Sequence, residues 1–129
     1  MLDGVVAGSI AAVLSGAPST LHALVTERDP LEATLAVGSM LLPDERRRGV
    51  LLVAAVPIHV GLSLAWGVAL ARVVRGPRAG ALAGIAIHVV DFELIGRFFP
   101  RIRVLPRGPQ LADHIAYGVV VGAVLARLR

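Results

Sequence analysis

"GVLLVAAVPIHVGLSLAWGVALARVV", residues 49–74, runs for 26 positions with a single charged side chain, Arg72, near its end. Coiled as an α-helix it is about 39 Å long, more than the roughly 30 Å hydrocarbon core of a bilayer. Water is the wrong solvent for such a run, and the segment reads as a transmembrane helix. Three other runs approach the ~20 apolar residues that a crossing needs. They are residues 4–26, 79–99 and 111–128, separated by loops that carry arginine. The expected fold is therefore all-α: one transmembrane domain over residues 1–129, a four-helix bundle crossing the bilayer four times.

Composition agrees. Of 129 residues, 56% are hydrophobic, above the roughly 45–50% of soluble domains, and the mean hydropathy is +0.77. The thirteen basic residues are all arginine, and nine acids leave a net charge of +4. In a membrane chain such an excess sets topology; without interleaved aromatic residues it gives no reason to expect a nucleic-acid partner. The loops after the first and third spans hold Arg28, Arg46, Arg47, Arg48, Arg97, Arg101, Arg103 and Arg107, eight charges against six, Arg72, Arg75, Arg78, Arg127, Arg129 and the amino terminus, on the other face. Positive-inside counting puts both termini outside a cell membrane, expected to be a bacterial inner membrane. Cysteine is absent, which removes disulfides, thiolate metal sites and thiol catalysis. The opening run has Asp3 where a secretory signal would be basic, so it reads as a retained helix.

Between the first two spans lies "DPLEATLAVGSMLLP", residues 29–43. Asp29 reads as a helix cap, Pro30 as the first helical residue and Glu32 as the reciprocal capping partner. A helix over residues 30–42 is only about 20 Å long, too short to cross, and is expected to lie at the interface or re-enter from one side. Asp44 and Glu45 precede the second span at the positive end of its dipole, and Pro109 marks the start of the fourth. The chain also looks like its own half-copy. Gly4 to Gly8 recurs as Gly80 to Gly84, and His59, seven residues and "GVALAR" recur as His114, seven residues and "GAVLAR".

Gly4/Gly8, Gly80/Gly84 and Gly118/Gly122, each four apart, place flat strips on three spans. Such strips let helix backbones approach closely, within the bundle or across a homodimer. Each span also has one histidine. Counting inward from the loops puts His59 and His88 near the midplane, and His22 and His114, with Tyr117 one turn from the latter, in a second layer. Asp91 follows His88 by three and shares its face. Glu93 is rotated by about 200° from Asp91 on an α-helix and is expected to pair with Arg97. An ionisable group at the bilayer centre costs at least ~2.5 kcal/mol, so His59, His88 and Asp91 form the principal candidate site: a hydrogen-bonded packing bridge, a proton relay or, through His59 and His88, a metal or haem site. Hydrolase and nucleotide-binding motifs are absent; Ser19 and His22 share a face without any oxyanion-stabilising partner.

The closing stretch "PQLADHIAYGVVVGAVLARLR", residues 109–129, resembles the last helix of small actinobacterial and other bacterial integral membrane proteins, through its histidine, its Tyr117–Gly118 pair and its second glycine, Gly122. "IGRFFPRIR", residues 95–103, belongs to the same resemblance, which implies a membrane fold and no particular activity. Four helices in a short chain are also similar to the small multidrug-resistance transporters, whose essential glutamate lies in a first helix that here has none. Function is expected to be that of a non-enzymatic membrane protein, a packing or assembly partner or small complex subunit, with no cofactor. The alternatives are a proton-coupled transporter working as a homodimer, and a haem- or metal-binding redox subunit.

Overall fold

The computed structural model describes every residue, Met1–Arg129. It is helical throughout: α1 (Leu2–Leu14), α2 (Ala17–Val25), α3 (Glu32–Gly38), α4 (Arg48–Val73), α5 (Pro77–His88), α6 (Pro100–Arg103) and α7 (Arg107–Leu128). A π-helical stretch, Val89–Ile95, and a 3₁₀ turn, Gly96–Phe98, continue α5. Four runs are long and apolar enough to cross a membrane: Leu2–Val25, Arg48–Val73, Pro77–Phe98 and Arg107–Leu128.

Three of these runs depart from the expected spans. The first is broken at Ser15 and Gly16, where α2 starts afresh with Pro18 in its first turn; proline has no N–H to give the helix before it. The third changes from α to π geometry after His88. The fourth begins at Arg107, with Pro109 inside its first turn, where backbone N–H groups have no intrahelical acceptor and proline removes nothing.

The short helix is shorter than expected. Asp29 does organise its start, with Oδ1 accepting the Leu31 N–H at 2.9 Å. Glu32, however, does not close a reciprocal cap; it accepts Arg28 Nε–H at 2.9 Å. Arg48 binds the Asp29 carboxylate, and Arg47 binds Glu45 at 2.8 Å. The Arg47 guanidinium and backbone N–H hold the Glu45 carboxyl down at about 2, against an ordinary 4.5.

The four long helical runs are held by glycine. A Cβ on Gly4 would stand 2.7 Å from the Gly67 carbonyl oxygen, and one on Gly8 2.6 Å from that of Ser63, so α1 and α4 touch backbone to backbone. On the other side, a Cβ on Gly118 would stand 2.9 Å from the Gly84 nitrogen, and one on Gly84 2.8 Å from Ile115 Cα. Gly122 sits against the turn at Gly76 and Pro77, where Gly76 takes φ +90. α1 also packs on α7, burying Ala7, Ala11, Tyr117, Val121 and Leu125 in one core.

The order in space is thus α4, α1, α7, α5, an open arc. α4 and α5, at its ends, present their small residues inward to α1 and α7 and form no packed interface with each other. α3 fills part of the gap. Gly38 lies directly against the Leu51 carbonyl of α4, and Ala36 joins Phe92, Ile102 and Leu105 in a second small core.

Candidate functional site

The open side of the arc is a half-open cleft of about 870 Å³, within the range of small-molecule sites. Its walls are α4, the end of α1, α2, the π-helical stretch and α7, and α3 and α6 cover one end. The break between α1 and α2 makes room for it. Beyond Gly16 the chain leaves α4 and α2 leans on α7. Of its exposed lining residues, Val13, Thr20, Val56, His59 and Leu62 lie on α1, α2 and α4 and make one open side.

Most of the lining is apolar, with Asp91 and Asp113 the two carboxylates. Asp91 Oδ2 accepts the indole N–H of Trp66 at 2.9 Å. This corrects the expected bridge from Asp91 to a histidine: the partner is the single tryptophan, from α4 across the open side. Asp113 Oδ1 accepts the Ser19 N–H at 2.8 Å and so supplies, from α7, the cap that α2 lacks locally. Tyr117 is buried, and its hydroxyl donates to the Ser63 carbonyl.

The histidines divide differently from the expected layers. His59 is exposed on that open side, with Nε2 2.8 Å from the Ala12 carbonyl; since a carbonyl only accepts, that nitrogen carries the proton. His88 is buried beneath Phe92, ring on ring with centroids 5.0 Å apart. His114, assigned with His22 to the other layer, stands edge-on to His88 at 5.1 Å. The expected span placed His114 too near its end because α7 starts at Arg107, about one turn before residue 111. His22 is half-buried on α2 and bonds only through its backbone carbonyl, to Thr26.

Glu93 is the second correction. It pairs with Arg107 at 3.5 Å and approaches His88 Nε2 at 3.7 Å, while Arg97 lies over the Phe98 ring at 4.8 Å. The cause is the π winding, seen in the Gly96 N–H returning to the Asp91 carbonyl five residues back. Bonding from i to i+5 brings Glu93 over His88 and turns it away from Arg97.

His59 and His88 therefore do not face each other as a pair of axial ligands would, and no three acidic or imidazole side chains gather as a metal site. Asp113, the pairing of Arg107 with Glu93 and the cleft position of Gln110 are not expected from spacing along the chain. An acid in "LADHIAY" was a visible signal, but its use depends on the break at Gly16 and Pro18. No protein-family model, curated protein or solved structure matches the chain.

Proposed function

We propose that this chain is a multi-pass membrane protein that binds a cationic amphiphile in its cleft, the apolar body against α3, α4 and the π-helical stretch and the charged head between Asp91 and Asp113. One observation carries the reading: of thirteen arginines none lines the cleft, whereas two carboxylates do, each held by a neutral N–H donor. A neutral donor orients a carboxylate and leaves its charge unbalanced, and in a low-dielectric wall the remedies are a proton or a bound cation. A bridge that served only packing, as in an assembly subunit, has no use for the open volume beside it. The open side along α1, α2 and α4 suits a ligand that arrives from the lipid, with the lipid bilayer itself as the protein's standing partner.

Trp66 bonds to Asp91 and is the chain's single tryptophan, so its emission reports on the site. In lipid nanodiscs, dodecyltrimethylammonium is expected to change Trp66 emission saturably, and dodecyl sulfate, with the same tail, is not. Asp91→Asn and Asp113→Asn, which keep a hydrogen-bond acceptor, are expected to weaken the cationic response at least about tenfold, or ~1.4 kcal/mol. Equal responses to the two amphiphiles, or undiminished binding in both variants, would sink the reading.

A further inference from the structure

The cleft is connected to the arginine-rich end of the molecule by a row of ionisable groups that the ligand reading does not use. His114 lines the cleft. Its Nδ1 lies 2.7 Å from the Gln110 carbonyl and 3.4 Å from Nδ1 of His88. On the far side of the His88 ring, Nε2 faces Glu93 Oε1 at 3.7 Å, and Glu93 Oε2 faces Arg107 at 3.5 Å. Exposure rises along the row: the side chain of His88 is 8% exposed, that of Glu93 34% and that of Arg107 73%.

We infer that His114, His88 and Glu93 are a proton path between the cleft carboxylates and the aqueous side at the loop between α6 and α7. The hydrogen bonds fix the resting tautomers. A carbonyl only accepts, so His114 Nδ1 carries a proton and its Nε2 is a free base. His88 Nδ1, at 3.4 Å, takes the second and longer arm of that same N–H as an acceptor, and the neutral ring carries its proton on Nε2, toward Glu93.

One proton can pass without net change. A proton leaving the cleft binds His114 Nε2; the Nδ1 proton of His114 moves to His88 Nδ1; the Nε2 proton of His88 leaves to the Glu93 carboxylate and from there to water. His114 is left as the Nε2–H tautomer and His88 as the Nδ1–H tautomer, and both rings must return before the next transfer. The last gap exceeds a charge-assisted hydrogen bond by about 1 Å, which a rotation of the half-exposed Glu93 closes. Around the row, Asp91 stands near His114, Asp113 precedes it on α7, and Glu93 and Arg107 face His88. Arg107 stands 3.5 Å from the Glu93 carboxylate on its solvent side. The π-helical winding is what makes the row continuous, because on an α-helix Glu93 would not stand over His88.

The path shares the cleft with the ligand reading but not its ligand, so its test contains no amphiphile and its outcome does not depend on ligand binding. Protein in nanodiscs is jumped from pH 7.5 to 5.5 by rapid mixing, and Trp66 emission follows protonation of Asp91, its hydrogen-bond partner. The wild type is expected to respond in a single phase. Glu93→Gln and His88→Phe should slow that phase at least tenfold and reach the same end point, and Glu93→Asp should retain most of the rate. Glu93→Gln, at a half-exposed position, keeps the test valid if the buried His88 variant fails to fold. Unchanged rates would overturn the path, as would a wild-type site that does not respond to pH. A changed end point would overturn it too, since these residues would then set the carboxylate's equilibrium and not its exchange.

Discussion

Tyr117 shows what one side chain contributes where α7 meets α4. Its ring is in the main core with Val121 and Leu125, and its hydroxyl reaches the Ser63 carbonyl. That carbonyl also serves the α4 ladder, so removing the hydroxyl leaves no wholly orphaned group. Tyr117→Phe is expected to lower unfolding stability by only about 0.5–1.5 kcal/mol, measured by denaturation in mixed micelles; a loss far larger would mean the hydroxyl holds more than this contact. The same scale shows what a sequence does and does not disclose about a site. That His88, Asp91 and Glu93 matter was legible, because ionisable groups inside an apolar run are costly wherever they point. Their partners were not. At 3.6 residues per turn Glu93 falls beside Arg97, and the π winding places it at His88 and Arg107 instead. Asp91 went to Trp66 because α4 and α5 leave a gap that only a large side chain with an N–H bridges.

At the scale of elements, the crossing of α5 and α7 depends on glycine in a way that α4 offers a control for. A Cβ on Gly118 would meet Gly84 N at 2.9 Å and Gly80 C at 2.8 Å, all backbone, with no flexible atom to yield. Gly61, inside α4, has nothing within 4 Å of the corresponding position. Gly118→Ala is therefore expected to force the helices apart at about 1–3 kcal/mol. Gly61→Ala is expected to be neutral or to stabilise by about 0.5–1 kcal/mol through lost backbone freedom in the unfolded chain. If the two variants unfold at the same denaturant concentration, close backbone packing does not hold this pair together. These strips were readable because spacing by four is a local property of the chain. Gly67, their partner on α4, stood in "GVALAR" without a second glycine to announce it, and the break before α2 needed the combined effect of Gly16 and Pro18. The two hairpins that looked like copies do cross alike. Gly8 meets Ser63 and Gly84 meets His114, which, at the 55-residue offset between the copies, differ by one helical turn.

For the whole molecule, the distribution of arginine and the open arc make one joint statement about orientation. Arg28, Arg46, Arg47 and Arg48 surround α3, and Arg97, Arg101, Arg103 and Arg107 surround α6, so eight cations gather at the end where these short helices cover the cleft. The opposite end has five arginines and the amino terminus, and two of its functions are structural: Arg129 donates to the Val74 carbonyl at 2.9 Å and to that of Ala71, closing the C-terminal end of α4. By positive-inside counting, the larger group is the basis for expecting α3 and α6 on the cytoplasmic side. The chain contains no cysteine, so single cysteines report position without background. Leu42→Cys, beyond α3, and Val104→Cys, 75% exposed beside α6, are expected to react with a membrane-impermeant maleimide only after the cytoplasmic face is opened. A cysteine appended after Arg129 is expected to react in intact cells. Labelling of Leu42→Cys and Val104→Cys from opposite faces would show that the segment around α3 crosses the membrane, making five spans and separating the two short helices that this fold packs together. Labelling of both from outside would reverse the orientation while leaving the fold as described, and the proton path would then open on the exterior.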